Sequence, residues 1–145
     1  MIQRPIIFAL FVVLTAAACK TYTTTLEQSV AKADETSALG ALHSIAVAER
    51  TYSLTNDGEY GTLKQLAEGG FLDSRFSSDK PLKDYVVTLV VTPKEPGGQP
   101  GSYKCNADPE NIAERAGRHL YIDSTSEGIH VNDTQPATAA DKLLQ

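Results

Sequence analysis

Seven side chains carry the reactive chemistry worth weighing in this chain: Cys19, Cys105, His43, His119, His130, Asp123 and Glu127. A cysteine can be acylated, paired in a disulfide, or serve as a nucleophile as its thiolate. Histidines and carboxylates can ligate metals, but a site needs several of them at compatible spacing. His119 and His130 fall on neighbouring expected strands and could approach each other across the last hairpin beside Asp123, but no third ligand follows from their spacing, and His43 lies apart on a helix. The run Asp123-Ser124-Thr125-Ser126-Glu127-Gly128 gathers oxygens in one turn but supplies two carboxylates, where calcium takes about 6–8 oxygens. Asp123 and Glu127 are therefore weak metal candidates, and an Asp/Gly hairpin turn is the expected structure. No Gly-x-Ser-x-Gly, His-Glu-x-x-His, phosphate-binding loop or dinucleotide fingerprint occurs. Neither enzymatic activity nor a cofactor is expected.

The most specific chemistry lies at Ala16-Ala17-Ala18-Cys19. It closes the run Ile6-Ile7-Phe8-Ala9-Leu10-Phe11-Val12-Val13-Leu14, before which Arg4 is the only charge. A basic start, an apolar middle and small residues at a cleavage point form a secretory signal. Residues 5–18 span roughly 21 Å as a helix, short of the ~30 Å hydrocarbon core. Ala-Ala-Ala-Cys resembles the lipobox of bacterial lipoprotein signals, although Ala16 stands where leucine is usual and Leu14 lies two residues further back. That resemblance implies cleavage between Ala18 and Cys19 and acyl chains on Cys19. Plain secretion and a short uncleaved anchor are the other readings of this run. Unacylated, Cys19 could form a disulfide with Cys105. Acylated, it leaves Cys105 as a lone thiol, read as a core-facing small hydrophobe because the alternation in Ser102-Tyr103-Lys104-Cys105-Asn106 puts it beside Tyr103.

Beyond Ala18, 127 residues remain, enough for one core. The formal net charge is −5, and no Lys/Arg cluster occurs, which argues against a nucleic-acid surface. Residues 20–25, polar and β-branched, read as a tether. Over residues 26–53, Ala38, Leu42, Ile45, Ala48 and Tyr52 recur at spacings of three and four, an amphipathic helix with Lys32, Glu35, His43 and Arg50 opposite. Asn56-Asp57-Gly58 ends it. Thr62-Leu63-Lys64-Gln65 has the form of a capping box, so a short second helix follows, burying Leu63, Leu66 and Ala67 and stopped by Gly69-Gly70.

From Tyr85 the period changes to two. Strands are expected over residues 85–92, 102–106, 118–123 and 129–131, with His119 and His130 on a solvated face. A helical turn is considered around residues 110–115, and residues 134–145, rich in Thr, Ala and Pro, are expected to be disordered. The fold class is α+β: one long amphipathic helix and a short helix packed on a four-stranded antiparallel sheet.

This order resembles the globular part of type IV pilins and type II secretion pseudopilins. Residues 34–45 are similar to the exposed half of the pilin helix. Glu59-Tyr60-Gly61-Thr62-Leu63 and Gly70-Phe71-Leu72-Asp73 resemble the segment after it, and Asn106-Ala107-Asp108-Pro109 and Arg118-His119-Leu120-Tyr121-Ile122-Asp123 its strand region. Some pseudopilins hold calcium near their C-terminal strands, which is what draws attention to Asp123 and Glu127. The chain departs from the family at its start: no Gly precedes the apolar run and no Glu lies inside it.

The resemblance and the Cys19 signal together imply a non-catalytic envelope lipoprotein, at the outer membrane or an extracytoplasmic face. It would bind membrane through acyl chains and protein partners of a pilus or secretion apparatus. The alternatives are a pilin-like subunit of a surface fibre and a small ligand-binding or hydrolytic lipoprotein.

Overall fold

A computed structural model describes residues 4–77, 82–110, 117–126 and 128–144, with residues 4–25 described as backbone. The long helix, α1, runs Arg4–Thr55. It is continuous through residues 20–25, the segment read as a tether. Among the described residues no helix is long and apolar enough to cross a membrane.

The C-terminal half of α1 follows the expected stripe. Ala38, Leu42, Ile45 and Ala48 are buried and Tyr52 is half-buried, while Lys32, His43 and Arg50 are exposed. The chain leaves the helix through Asp57 and Gly58, both in the left-handed region at φ 55° and 83°; Gly58 meets this at no steric cost. Helix α2, Leu63–Glu68, starts with the complete capping box: Thr62 accepts from the Gln65 N–H and Gln65 accepts from the Thr62 N–H. Only Leu66 of α2 is fully buried; Leu63 and Ala67 are half-buried, because six residues turn one narrow stripe to the core. A 3₁₀ turn, Ser74–Ser77, then seats Phe76 in the core.

The sheet is an antiparallel meander of five strands in the order β1-β2-β3-β4-β5: β1 Tyr85–Thr92, β2 Ser102–Pro109, β3 His119–Asp123, β4 His130–Asn132 and β5 Lys142–Leu143. Its register aligns Leu89, Cys105 and Ile122 in one row, and Val87, Ala107, Leu120 and Val131 in the next. These rows form the face that packs with α1, and the shared core also takes in Leu66, Leu72, Phe76 and Ile129. Burial of this apolar area is the main driving term. Within α1, Glu35 takes a bidentate pair from Arg118 at the entry to β3, with Nη2–Oε1 at 2.5 Å and Nε–Oε2 at 3.2 Å.

Two expectations are corrected. There are five strands rather than four, and the C-terminal segment is ordered rather than disordered. It crosses the outer face of the sheet, where Asn106 donates to the Ala137 carbonyl at 2.9 Å. Asn132 donates to Asp141, and the Leu144 N–H bonds the Ile129 carbonyl. Ala137 is buried and Leu144 packs on the core. With this cover in place, all five residues of β3 are buried. The turn considered around residues 110–115 falls outside the described residues after Glu110.

Candidate functional site

Cys19 lies within the helical backbone of α1, and its side chain is outside the described atoms. Of the remaining candidates, Cys105, His119, His130 and Asp123 lie on the sheet and His43 lies on α1.

Asp123 ends β3. Its Oδ1 accepts from the Thr125 N–H, the Thr125 hydroxyl and the Ser126 hydroxyl, each at 2.8 Å, and its Oδ2 accepts from the Tyr121 hydroxyl at 2.7 Å. Three of the four donors converge on Oδ1 and one reaches Oδ2, so the carboxylate is engaged mainly by its own turn. Asp123 therefore organises the turn into β4. Burial alone would raise its pKa, but the four hydrogen bonds prevail and hold it at about 2. Glu127, its partner in the calcium reading, lies outside the described residues. Among the described residues no group of three His, Cys, Asp or Glu side chains is placed to share a metal ion.

The Asp123 carboxylate favours the folded state above the ordinary aspartate range, and that contribution is lost as the pH falls from about 4 to about 2. With allowance for screening by adjacent solvent it is worth about 1–2 kcal/mol. Asp123→Asn is expected to lower stability by that amount at pH 7 and to flatten acid unfolding over the same window, as measured by urea denaturation at several pH values.

The histidines do not converge. His119 is buried rather than solvated, and its Nδ1 donates to Asp108 Oδ1 at 2.6 Å. His119 Nε2 is buried without a hydrogen-bond partner. His130 Nδ1 donates instead to the Asp141 carbonyl at 2.7 Å, and His43 stands exposed on α1. Each ring on the sheet has its own acceptor, and neither joins Asp123.

Cys105 is a free thiol with no solvent exposure. Burial, reinforced by the charge of Glu49, pushes its pKa well above the usual thiol range, so it packs as a small hydrophobe.

Two features escaped the sequence reading. The first is a cleft of about 250 Å³ between α1 and the turn after β3. Arg50 and Ser53 line its helix side, Tyr60 and Tyr103 its floor, and Ser124 and Ser126 its far wall. The two tyrosines meet edge to face with ring centroids 5.1 Å apart. The second is Glu49, which has no solvent exposure although it belongs to α1. Its Oε2 accepts from the Gly61 N–H at 2.9 Å, while Oε1 has no partner. Desolvation raises its pKa to about 7, against the opposing effect of the Gly61 hydrogen bond. The periodicity did carry a signal for this: Glu49 follows Ile45 by four residues and precedes Tyr52 by three, which places it on the buried stripe.

No protein-family model, curated protein or solved structure matches the chain. The structure defines an α+β domain built from one long helix, one short helix and a five-stranded antiparallel sheet.

Proposed function

We propose that this is a non-catalytic lipoprotein of the bacterial cell envelope, anchored through acyl chains on Cys19, with a pilin-like head that binds protein components of a pilus or secretion apparatus. The observation carrying the head assignment is the dual use of α1. Its C-terminal half supplies Ala38, Leu42 and Ile45 to the core, while the same helix continues as backbone to Arg4. Helix first, then short helix, then antiparallel meander is the order that the resemblance to pilins implies. The anchor assignment rests on the apolar run and Ala16-Ala17-Ala18-Cys19. A single acyl chain gives only marginal membrane binding and two or more give stable attachment. The binding role of the head is supported by its surface: Val47 and Leu54 on α1 are 66% and 81% exposed, apolar side chains on a face that the head leaves uncovered.

One observation favours the alternative of a fibre subunit: α1 is unbroken through residues 20–25, so stalk and head form one helix. Mechanical shearing of cells distinguishes the two. The lipoprotein reading expects the protein to stay with the membrane pellet; recovery in the sheared surface fraction, together with fibres, would instead support the subunit.

A further inference from the structure

We propose that Glu49 is a proton-operated latch: protonated, it holds the connection between α1 and α2 closed against the core, and on giving its proton to solvent it draws in water and releases that connection. The geometry is that of an acid with no counter-charge. Glu49 projects from the buried stripe of α1 toward β2, and its carboxyl group has one hydrogen bond, from the Gly61 N–H twelve residues further along the chain.

The titratable groups that face it are Tyr103 and Cys105 of β2, with Tyr60 of the connection set edge to face on Tyr103. Burial raises the pKa of Tyr103 and of Cys105, so both stay neutral. Among the described residues no Lys, Arg or His pairs with Glu49, and adjacent Arg50 is exposed. A neutral carboxyl in this place leaves a single oxygen without a partner, Oε1. An ionised one leaves a buried charge with a single donor, which costs far more.

Release falls on the connection because that is where the carboxyl is tied and where water is nearest. Gly61 is buried, while Glu59 and Tyr60 before it are half-exposed. The fit at Gly61 is close: a Cβ there would meet Leu66 Cδ2 at 3.2 Å and Tyr52 Cε1 at 3.3 Å. Hydrating Glu49 therefore requires the backbone around Gly61 to move off α1. The tie from the Lys94 N–H to the Glu59 carboxylate at 3.1 Å is exposed and holds the connection weakly, which leaves the edge contact of Tyr60 with Tyr103 as the packing that release must break.

The sign is fixed by linkage. The pKa of Glu49 is raised in the folded protein, to about 7 from an ordinary 4.5. The folded state then holds the proton where the unfolded chain has lost it, and stability falls as the pH rises from about 4.5 to about 7 and is level above. That displacement corresponds to an increase of up to about 300-fold in the unfolding constant.

The test uses the full-length protein in detergent, labelled with carbon-13 for NMR of side-chain carboxyls, with amide exchange read at Gly61. The expected result is a Glu49 titration near pH 7. Gly61 exchange, corrected for its intrinsic pH dependence, should rise about tenfold from pH 6 to pH 8 in the wild type and stay level in Glu49→Gln. A Glu49 titration in the ordinary carboxylate range, or Gly61 exchange that does not respond to its ionisation, would overturn the latch. If Glu49→Gln does not fold, the wild-type titration and the Gly61 exchange decide the matter alone.

Discussion

Cys19→Ala is expected to move the protein out of the membrane fraction, with loss of essentially all acyl-mediated attachment. The proposed anchor has one attachment atom, the Cys19 sulfur, and alanine has nothing in its place. Each buried methylene of an acyl chain contributes about 0.8 kcal/mol, so two chains dominate anything the exposed residues of α1 could add at a lipid surface. Metabolic labelling with a fatty acid, followed by fractionation, reads the result directly: label and membrane association are lost together. The substitution is not expected to disturb the head, because among the described side chains of α1 the first buried one, Ala31, lies about twelve residues later. Retention of Cys19→Ala in the membrane fraction would point to an uncleaved anchor or to fibre assembly.

Leu42→Ala is expected to destabilise the head by about 3 kcal/mol, lowering its melting temperature by about 10 °C. Leu42 is completely buried in the core cluster, between the helix and the sheet. Truncation to alanine removes apolar contacts and leaves a cavity that a core braced by five paired strands closes only in part. Set against a typical total of about 5–15 kcal/mol, this is a large share of the stability. Val47→Ala, one turn and a residue along on the 66%-exposed position, is the control and is expected to change stability by less than about 0.5 kcal/mol. Chemical denaturation followed by circular dichroism checks both.

Most of the head was legible because its elements have strong local signals. The stripe from Ala38 to Tyr52 marks the packed half of α1, Thr62 and Gln65 mark the start of α2, and the alternation from Tyr85 marks β1 to the residue. What was not legible has physical reasons. The C-terminal segment is held by side chain to backbone bonds, Asn106 to Ala137 and His130 to Asp141, and by one buried alanine. None of these leaves an apolar period, and β5 is two residues long. His119 was expected at the surface because its strand face looked polar; in the fold it is buried and bonded to Asp108 of the neighbouring strand. Glu49 was overlooked for the opposite reason. Its spacing placed it on the buried stripe, but it is an acidic residue, and the Gly61 N–H that donates to its carboxyl group is twelve residues away.

The candidate sites divide in the same way. The carboxylate of Asp123 is consumed by its own turn, which follows from the Asp-Ser-Thr-Ser wording once the backbone is seen to fold back on it. The cleft between Arg50, Tyr60 and Ser124 draws on three separate elements, and no local pattern in the sequence announces it.

The anchor remains the claim on which the functional reading turns, and the mass of the mature N-terminus tests it most directly. Intact and peptide mass spectrometry of the protein purified from envelopes is expected to find a chain that begins at Cys19 and carries a diacylglyceryl group on its sulfur. A chain that retains Met1, or that begins at an unmodified residue, would contradict it.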